Sequence, residues 1–226
     1  ISTITFFLKN VSLVTNVAFT LPGVFEANPW KLAVNASLWT LPYEIAMYVG
    51  LASLWLIWSR LKKNWLGEFG RILVFVAALS LAAHVVSHFF WRDSGLFRLT
   101  AMFFVGASFY FLRDRITLSP GVFAVMGIAL VLSALHRQVF FIVYTFTLPY
   151  LVFCLAYLPK GRIRAYNKVG DYSYGLYIYA FPIQQSLAFF MPGIGVTEML
   201  FLSTLLTGFA AVISWHAIES RALRLK

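Results

Sequence analysis

Residues 35–44 hold the side chains best suited to chemistry, because they place a carboxylate at the head of a long apolar run. A carboxylate at membrane depth is costly unless it faces a partner or a polar cavity, so Glu44 marks a candidate functional site. An acid among aromatic rings is typical of a sugar-binding or proton-handling site. The alternative is that Glu44 caps its own helix while the aromatics lie in the interfacial belt. The accompanying aromatic residues are Trp39, Tyr43 and Tyr48.

A guanidinium and two imidazoles lie in other apolar runs. Arg98 could bind a carboxylate or a phosphate, or pair with Glu44. The alternative is that its side chain extends along the helix to the membrane interface. His84 and His88 are spaced i, i+4 and share one helix face. A zinc site would need further ligands that the sequence does not offer at suitable spacing, so we expect no metal.

Tyrosines are concentrated at residues 172–179, where four occur in eight positions of the sequence YSYGLYIY. Tyr174 and Tyr177 share a helix face with Phe181, just before Pro182. We predict that Tyr174 and Tyr177 bind a substrate. The alternative is that the tyrosines are interfacial or hydrogen-bond to neighbouring helices.

The composition indicates an α-helical membrane protein. Of the 226 residues, 61% are hydrophobic and only 12% are charged, whereas a soluble domain carries about 25% charged residues. The single cysteine, Cys154, excludes a disulfide framework and a paired-cysteine metal site. The net charge of +10 lies in short loops between apolar runs, so we expect no nucleic-acid partner.

Seven apolar runs predict a polytopic all-α bundle in the lipid bilayer, formed as a single domain over residues 1–226. Residues 1–20 are short for a full span and predict either a partial span, as the end of a longer helix, or an interfacial segment. Leu21, Pro22 and Gly23 interrupt this segment, and Thr40 is a candidate N-cap of the first secure helix. The secure spans are predicted at about 41–59, 69–90, 96–112, 119–135, 138–158, 172–191 and 197–219.

Successive loops between these spans are alternately rich and poor in basic residues. Of the 18 Lys and Arg residues, 13 lie in loops or ends on one side and 4 lie on the other. Because cytoplasmic loops carry the excess of Lys and Arg, we expect a cytoplasmic C-terminus and place residues 35–44 on the outer side.

Several stretches together resemble membrane-bound acyltransferase family 3. The sequence SLWTLPYEIAMY at 37–48 resembles the family's SLWxLxxExxxY signature, and VGDYSYGLYIYAFPIQQ at 169–185 resembles its late G-x-x-SYGxYLxHxP helix. Ala180 stands where many members have histidine. AIESR at 217–221 resembles the closing xIERP element, with Ser220 departing from it, and RLTAMFFVG at 98–106 loosely fits RxxxFxxG.

The resemblance implies a multi-pass enzyme of the inner (plasma) membrane, in which acyl-CoA, typically acetyl-CoA, donates an acyl group to a glycan or lipid-linked sugar. Glu44 would orient or polarise a catalytic histidine, or hold the sugar. Basic residues at 60–63 and 160–168 would meet the CoA phosphates, unless they serve topology alone. The implied substrate-binding residues are Trp39, Tyr43, Tyr48, Arg98, Tyr174 and Tyr177.

The family's catalytic histidine and a paired arginine form an R-x10-H pattern that has no match here, and its RxxR motif is also absent. We therefore expect an N-terminally truncated chain that transfers nothing alone. Two other readings stay open: a non-enzymatic exporter of glycan or lipid, and a subunit that scaffolds surface-glycan assembly. The oligomeric state is not predicted.

Overall fold

The computed structural model describes residues 2–13, 17–61, 65–91, 94–161 and 169–224, together with their side chains except those of 61 and 65–67. Within these ranges the chain is helical and forms no strand, which confirms the predicted all-α class. The helices are α1 Thr3–Ser12, α2 Leu41–Leu61, α3 Trp65–Phe90, α4 Gly95–Phe111, α5 Pro120–Ser133, α6 Arg137–Tyr157, α7 Ser173–Phe190, α8 Val196–Ser214 and α9 Ser220–Leu223. A 3-10 turn at Ala36–Thr40 precedes α2, and a π-helical turn at Trp215–Glu219 joins α8 to α9.

Each of the seven predicted spans corresponds to one helix from α2 to α8. Within the described ranges, four helical segments are long and apolar enough to cross a membrane. The helices α4 and α5 are apolar but shorter, and the 14 residues of α5 extend only roughly 21 Å. For these two helices and for α7, membrane crossing stays a prediction. The four segments are Ala36–Arg60, Glu68–Phe90, Arg137–Tyr157 and Val196–Leu223.

The N-terminal segment differs from its prediction. Its helix α1 ends at Ser12, well before Leu21, and Leu13 adopts a left-handed conformation with φ of 51°. The Asn10 side chain makes two hydrogen bonds to the Ala18 backbone, at 3.0 and 2.9 Å, which hold Ala18 beside the helix. The ten residues of α1 extend roughly 15 Å, so no continuous helix covers the described part of 1–20.

The chain divides into two compact units, and each is described by itself. The first unit comprises Ile1–Ile45 and Ala165–Lys226, and the second comprises Ala46–Arg164. In the first unit α7 packs against α8 through small residues. Gly175 faces Ala211, which is fully buried, and the buried side of α8 also carries Ser203, Thr207 and Ser214. Small residues at such spacing let two helix backbones approach closely.

In the second unit, α3 and α4 form an antiparallel pair around an apolar core of Phe69, Leu73, Ala77 and Phe104. The other pair, α5 and α6, is tied at one end by the Tyr150 hydroxyl. It donates to the Thr117 carbonyl at 3.0 Å and accepts from the Ser119 backbone N–H at 2.9 Å.

Candidate functional site

The Tyr177 hydroxyl joins the two longest stretches that carry the family resemblance. It donates to the Ser37 carbonyl and lies 2.5 Å from the Thr40 hydroxyl. Thr40 is therefore occupied by Tyr177 rather than capping α2 as predicted. The helical segment is capped earlier, by Asn35, whose side-chain oxygen accepts from the Ser37 backbone N–H at 3.1 Å. The turn that leads into α2 is thus fixed to α7.

Asn35 also satisfies a backbone carbonyl of α7. Pro182 lies inside α7 and has no N–H, so the carbonyl four residues earlier loses its helical partner. That carbonyl belongs to Ile178, and the Asn35 side-chain amide donates to it at 2.9 Å. The buried Asn35 side chain therefore hydrogen-bonds both the helical turn that leads into α2 and α7, the helix that contains Pro182.

A second buried amide extends this attachment. Gln185 donates to the carbonyls of Trp30, at 2.8 Å, and Ala33, at 2.6 Å. Asn28 donates to the Gln185 backbone carbonyl at 2.8 Å and to its side-chain oxygen at 3.2 Å. Both amides are nearly completely buried, and buried polar groups hold a unique arrangement when they are satisfied. The loop before α2 is thereby held against α7.

We expect Asn35→Ala to destabilise the protein by roughly 1–3 kcal/mol, because it leaves the Ile178 carbonyl buried without a donor. In a Pro182→Ala background the cost should fall by about 1 kcal/mol, since the restored N–H of residue 182 can bond Ile178. Unfolding by denaturant in detergent micelles measures both. Asn10→Ala removes another amide bonded to backbone, that of Ala18, and should show no such coupling, because Pro182 does not leave these Ala18 groups unpaired. Equal costs of Asn35→Ala in both backgrounds would contradict this account.

Glu44 lies in the first turn of α2, and its side chain is exposed. Trp39 is half-buried and meets Tyr43 edge-to-face, with ring centroids 6.1 Å apart. Because the turn before Glu44 is held by Tyr177 and Asn35, the carboxylate projects from a fixed backbone. Glu44 follows Tyr43 directly in α2, and the substrate-binding role of these residues stays a prediction.

The two predicted substrate-binding tyrosines of α7 differ in their surroundings. Tyr177 is engaged by Ser37 and Thr40, whereas Tyr174 lies one turn earlier and is 56% exposed. Asp171 precedes α7 and accepts from the Ser173 backbone N–H at 3.0 Å. Hydrogen bonds from the Ser173 side chain and backbone hold the pKa of the Asp171 carboxyl below its usual value. A negative charge therefore lies at the start of α7, where the helix dipole favours it.

The AIESR element at 217–221 is also linked to α7, the helix that carries the tyrosines. Glu219 accepts from the Ser214 hydroxyl at 2.6 Å, and Ser214 accepts from Tyr179 at 3.4 Å. The π turn between Ser214 and Glu219 makes this i, i+5 contact, and π turns occur frequently at functional sites. Three of the four stretches that carry the resemblance thus meet in the first unit.

The other predicted residues belong to the second unit. Tyr48 is 56% exposed and meets Phe103 edge-to-face at 5.3 Å, and Arg98 is half-buried in the first turn of α4. Since Glu44 belongs to the first unit, its pairing with Arg98 stays a prediction. His84 and His88 share a helix face as predicted. Both pack against Phe141, whose ring stacks on His88 with centroids 3.5 Å apart.

The predicted CoA-binding loops are only partly described. Arg60 is exposed near the end of α2, and Lys160 is exposed three residues after the end of α6. Other basic residues of these loops lie outside the described ranges: Lys62, Lys63, Arg162, Arg164 and Lys168.

Sequence reasoning did not assign roles to Asn28, Asn35, Gln185, Ser214 or Glu219. A signal for Asn35 was present, because a proline inside a helix leaves a carbonyl that needs a donor. Which side chain supplies that donor depends on contacts between residues more than 140 positions apart, as the Asn35–Ile178 separation of 143 shows.

The chain is similar to a curated protein named O-acetyl transferase from Shigella phage Sf6. The two are 29% identical over an alignment of 204 residues, and the alignment covers 84% of this chain and 57% of the relative. The chain therefore spans little more than half the length of that relative. No protein-family profile and no solved structure matches the chain. The similarity supports an acetyltransferase-like relationship and thus a transferase.

Proposed function

We propose that this chain is part of an integral-membrane O-acyltransferase. It moves an acyl group, acetyl in the simplest case, from cytoplasmic acyl-CoA to a hydroxyl of an extracytoplasmic or lipid-linked glycan. The similarity to a protein named O-acetyl transferase supports the transferase class. The four long apolar helices support a membrane location. The basic loops support an orientation with the C-terminus in the cytoplasm of an inner-membrane protein.

One observation carries the proposal: the Tyr177 hydroxyl fixes the turn at Ser37 and Thr40, which presents Glu44. In the reaction, the acceptor oxygen attacks the thioester carbonyl. A C–O bond forms, the C–S bond breaks, and the acceptor proton passes through a general base to the thiolate. Glu44 orients or polarises that base, or holds the acceptor sugar. Trp39, Tyr43 and Tyr174, which all belong to the first unit, present aromatic faces and two hydroxyls to the acceptor.

We expect Tyr177→Phe to lower acyl transfer about tenfold, because two hydrogen bonds that fix the turn before Glu44 are lost. Membranes containing the full-length protein, of which this chain is a part, are supplied with labelled acetyl-CoA and with surface glycan from a strain that lacks the gene, and label on the glycan is counted. Tyr157→Phe removes a hydroxyl from an exposed tyrosine of α6 and should transfer label as wild type does. Absence of labelled glycan with the wild-type protein would contradict the transferase proposal and favour an exporter or assembly subunit.

A further inference from the structure

An open cavity of about 700 Å³ lies in the second unit, where α3 begins and α4 ends. This end of the antiparallel pair is distant in sequence from Glu44 and has no role in the proposed chemistry so far. The cavity combines two guanidiniums with an apolar wall. Its lining residues are Gly70, Arg71, Val74, Phe111, Leu112, Asp114 and Arg115.

A close helix contact forms the apolar wall. A Cβ on Gly70 would overlap the Phe111 ring, so only glycine lets the ring come this close to α3. The ring, with Val74 and Leu112, lines the cavity next to the charged groups. A ligand seated there would meet both apolar carbon and cationic groups.

The two cations come from different elements. Arg71 lies near the start of α3, and Arg115 lies in the turn after α4, and both side chains are exposed. Arg113 does not line this cavity: its guanidinium lies 4.5 Å from the Tyr110 ring centroid and 4.0 Å from the carboxylate of Asp114, which does line it. Arg113 lines a separate cavity with Tyr110 and Tyr157, so it offers a matched comparison.

We propose that this cavity binds the phosphate group of an amphipathic ligand. The planar donors of Arg71 and Arg115 match phosphate oxygens, while Val74, Phe111 and Leu112 contact the carbon chain. Two sources share this chemistry: the CoA part of an acyl donor and the headgroup of an anionic phospholipid. The CoA source rests on the proposed function, and the phospholipid source does not. Both are available on the side that carries the basic loops.

The protein is placed in nanodiscs of zwitterionic lipid, and CoA binding is measured by calorimetry. We expect Arg71→Gln and Arg115→Gln each to weaken binding about tenfold, because each removes charge-assisted hydrogen bonds to phosphate. Arg113→Gln should change it less than twofold. Asp114→Asn should tighten it severalfold, since it removes a carboxylate that repels the anion. Each substituted residue is exposed, and the unfolding temperature of each variant verifies that it is folded.

A second arm adds phosphatidylglycerol and detects retained lipid by native mass spectrometry. Lipid retained by wild type but lost from Arg71→Gln, without CoA binding, assigns the cavity to phospholipid. CoA binding with the predicted variant pattern assigns it to the acyl donor. Equal losses in Arg71→Gln and Arg113→Gln, or binding of neither ligand, would overturn the cavity proposal. Label transfer by wild type tests the proposed function separately, because it can persist when the cavity proposal fails.

Discussion

Glu44→Gln is expected to lower the rate of acyl transfer by about 10²-fold, at the lower end of what acid–base groups contribute. The carboxylate is exposed at the head of α2, so the substitution removes its charge without disturbing a packed core. Glutamine keeps the shape of the side chain and its ability to hydrogen-bond. A large loss would therefore report on the negative charge itself.

The kinetic constants separate the two roles proposed for Glu44. A carboxylate that orients or polarises the base acts in the transition state, so its loss should lower kcat and kcat/KM together. A carboxylate that only holds the sugar should raise KM and leave kcat unchanged.

Glu198→Gln is the matched control for Glu44→Gln. Glu198 also lies in the first turn of a helix of the first unit, where it accepts from the Gly195 backbone N–H at 3.3 Å. Loss of the Glu198 carboxylate should change the rate of acyl transfer less than twofold, although the start of α8 loses part of its cap. Equal transfer by wild type and Glu44→Gln in labelled-glycan assays would remove Glu44 from the site.

Helix positions could be predicted because the backbone N–H and C=O groups of each apolar run must hydrogen-bond within the run when it lies in the membrane. The run predicted at 138–158 forms α6 at Arg137–Tyr157, and the run predicted at 69–90 forms α3 at Trp65–Phe90. The predicted fold class needed only composition and the lengths of these runs. The same reasoning extended 1–20 too far, since hydropathy does not register the Asn10 side chain that bonds Ala18.

The candidate site could be predicted only in part, since motif residues identify side chains but not their partners. Glu44 and Tyr177 were both selected, yet the Tyr177 contact with Ser37 joins residues 140 positions apart. The Gly70–Phe111 contact likewise arises only when α3 and α4 pack in one register. Such contacts depend on tertiary geometry, which local sequence patterns do not determine.

Gly175→Val is expected to destabilise the protein by about 3 kcal/mol, because any Cβ there overpacks the contact between α7 and α8. A Cβ on Gly175 would lie 2.8 Å from the Ala211 Cα and 2.9 Å from its Cβ. Backbone on the facing helix cannot rotate away as a side chain can, so the helices must separate. Tyr177 lies two residues further along α7, so its bonds to Ser37 and Thr40 should weaken and acyl transfer should fall with stability.

Gly208→Ala tests whether the cost at Gly175 comes from the interface or from substituting a helical glycine. A Cβ on Gly208 would meet nothing within 4 Å, and alanine favours a helix over glycine by about 1 kcal/mol. Its unfolding temperature should therefore stay unchanged or rise. Adding Ala211→Gly to Gly175→Ala removes one of the two clashing atoms and should restore part of the lost stability. If Gly175→Val unfolds at the wild-type temperature, α7 and α8 do not meet at Gly175, and Tyr177 must be fixed by its hydrogen bonds alone.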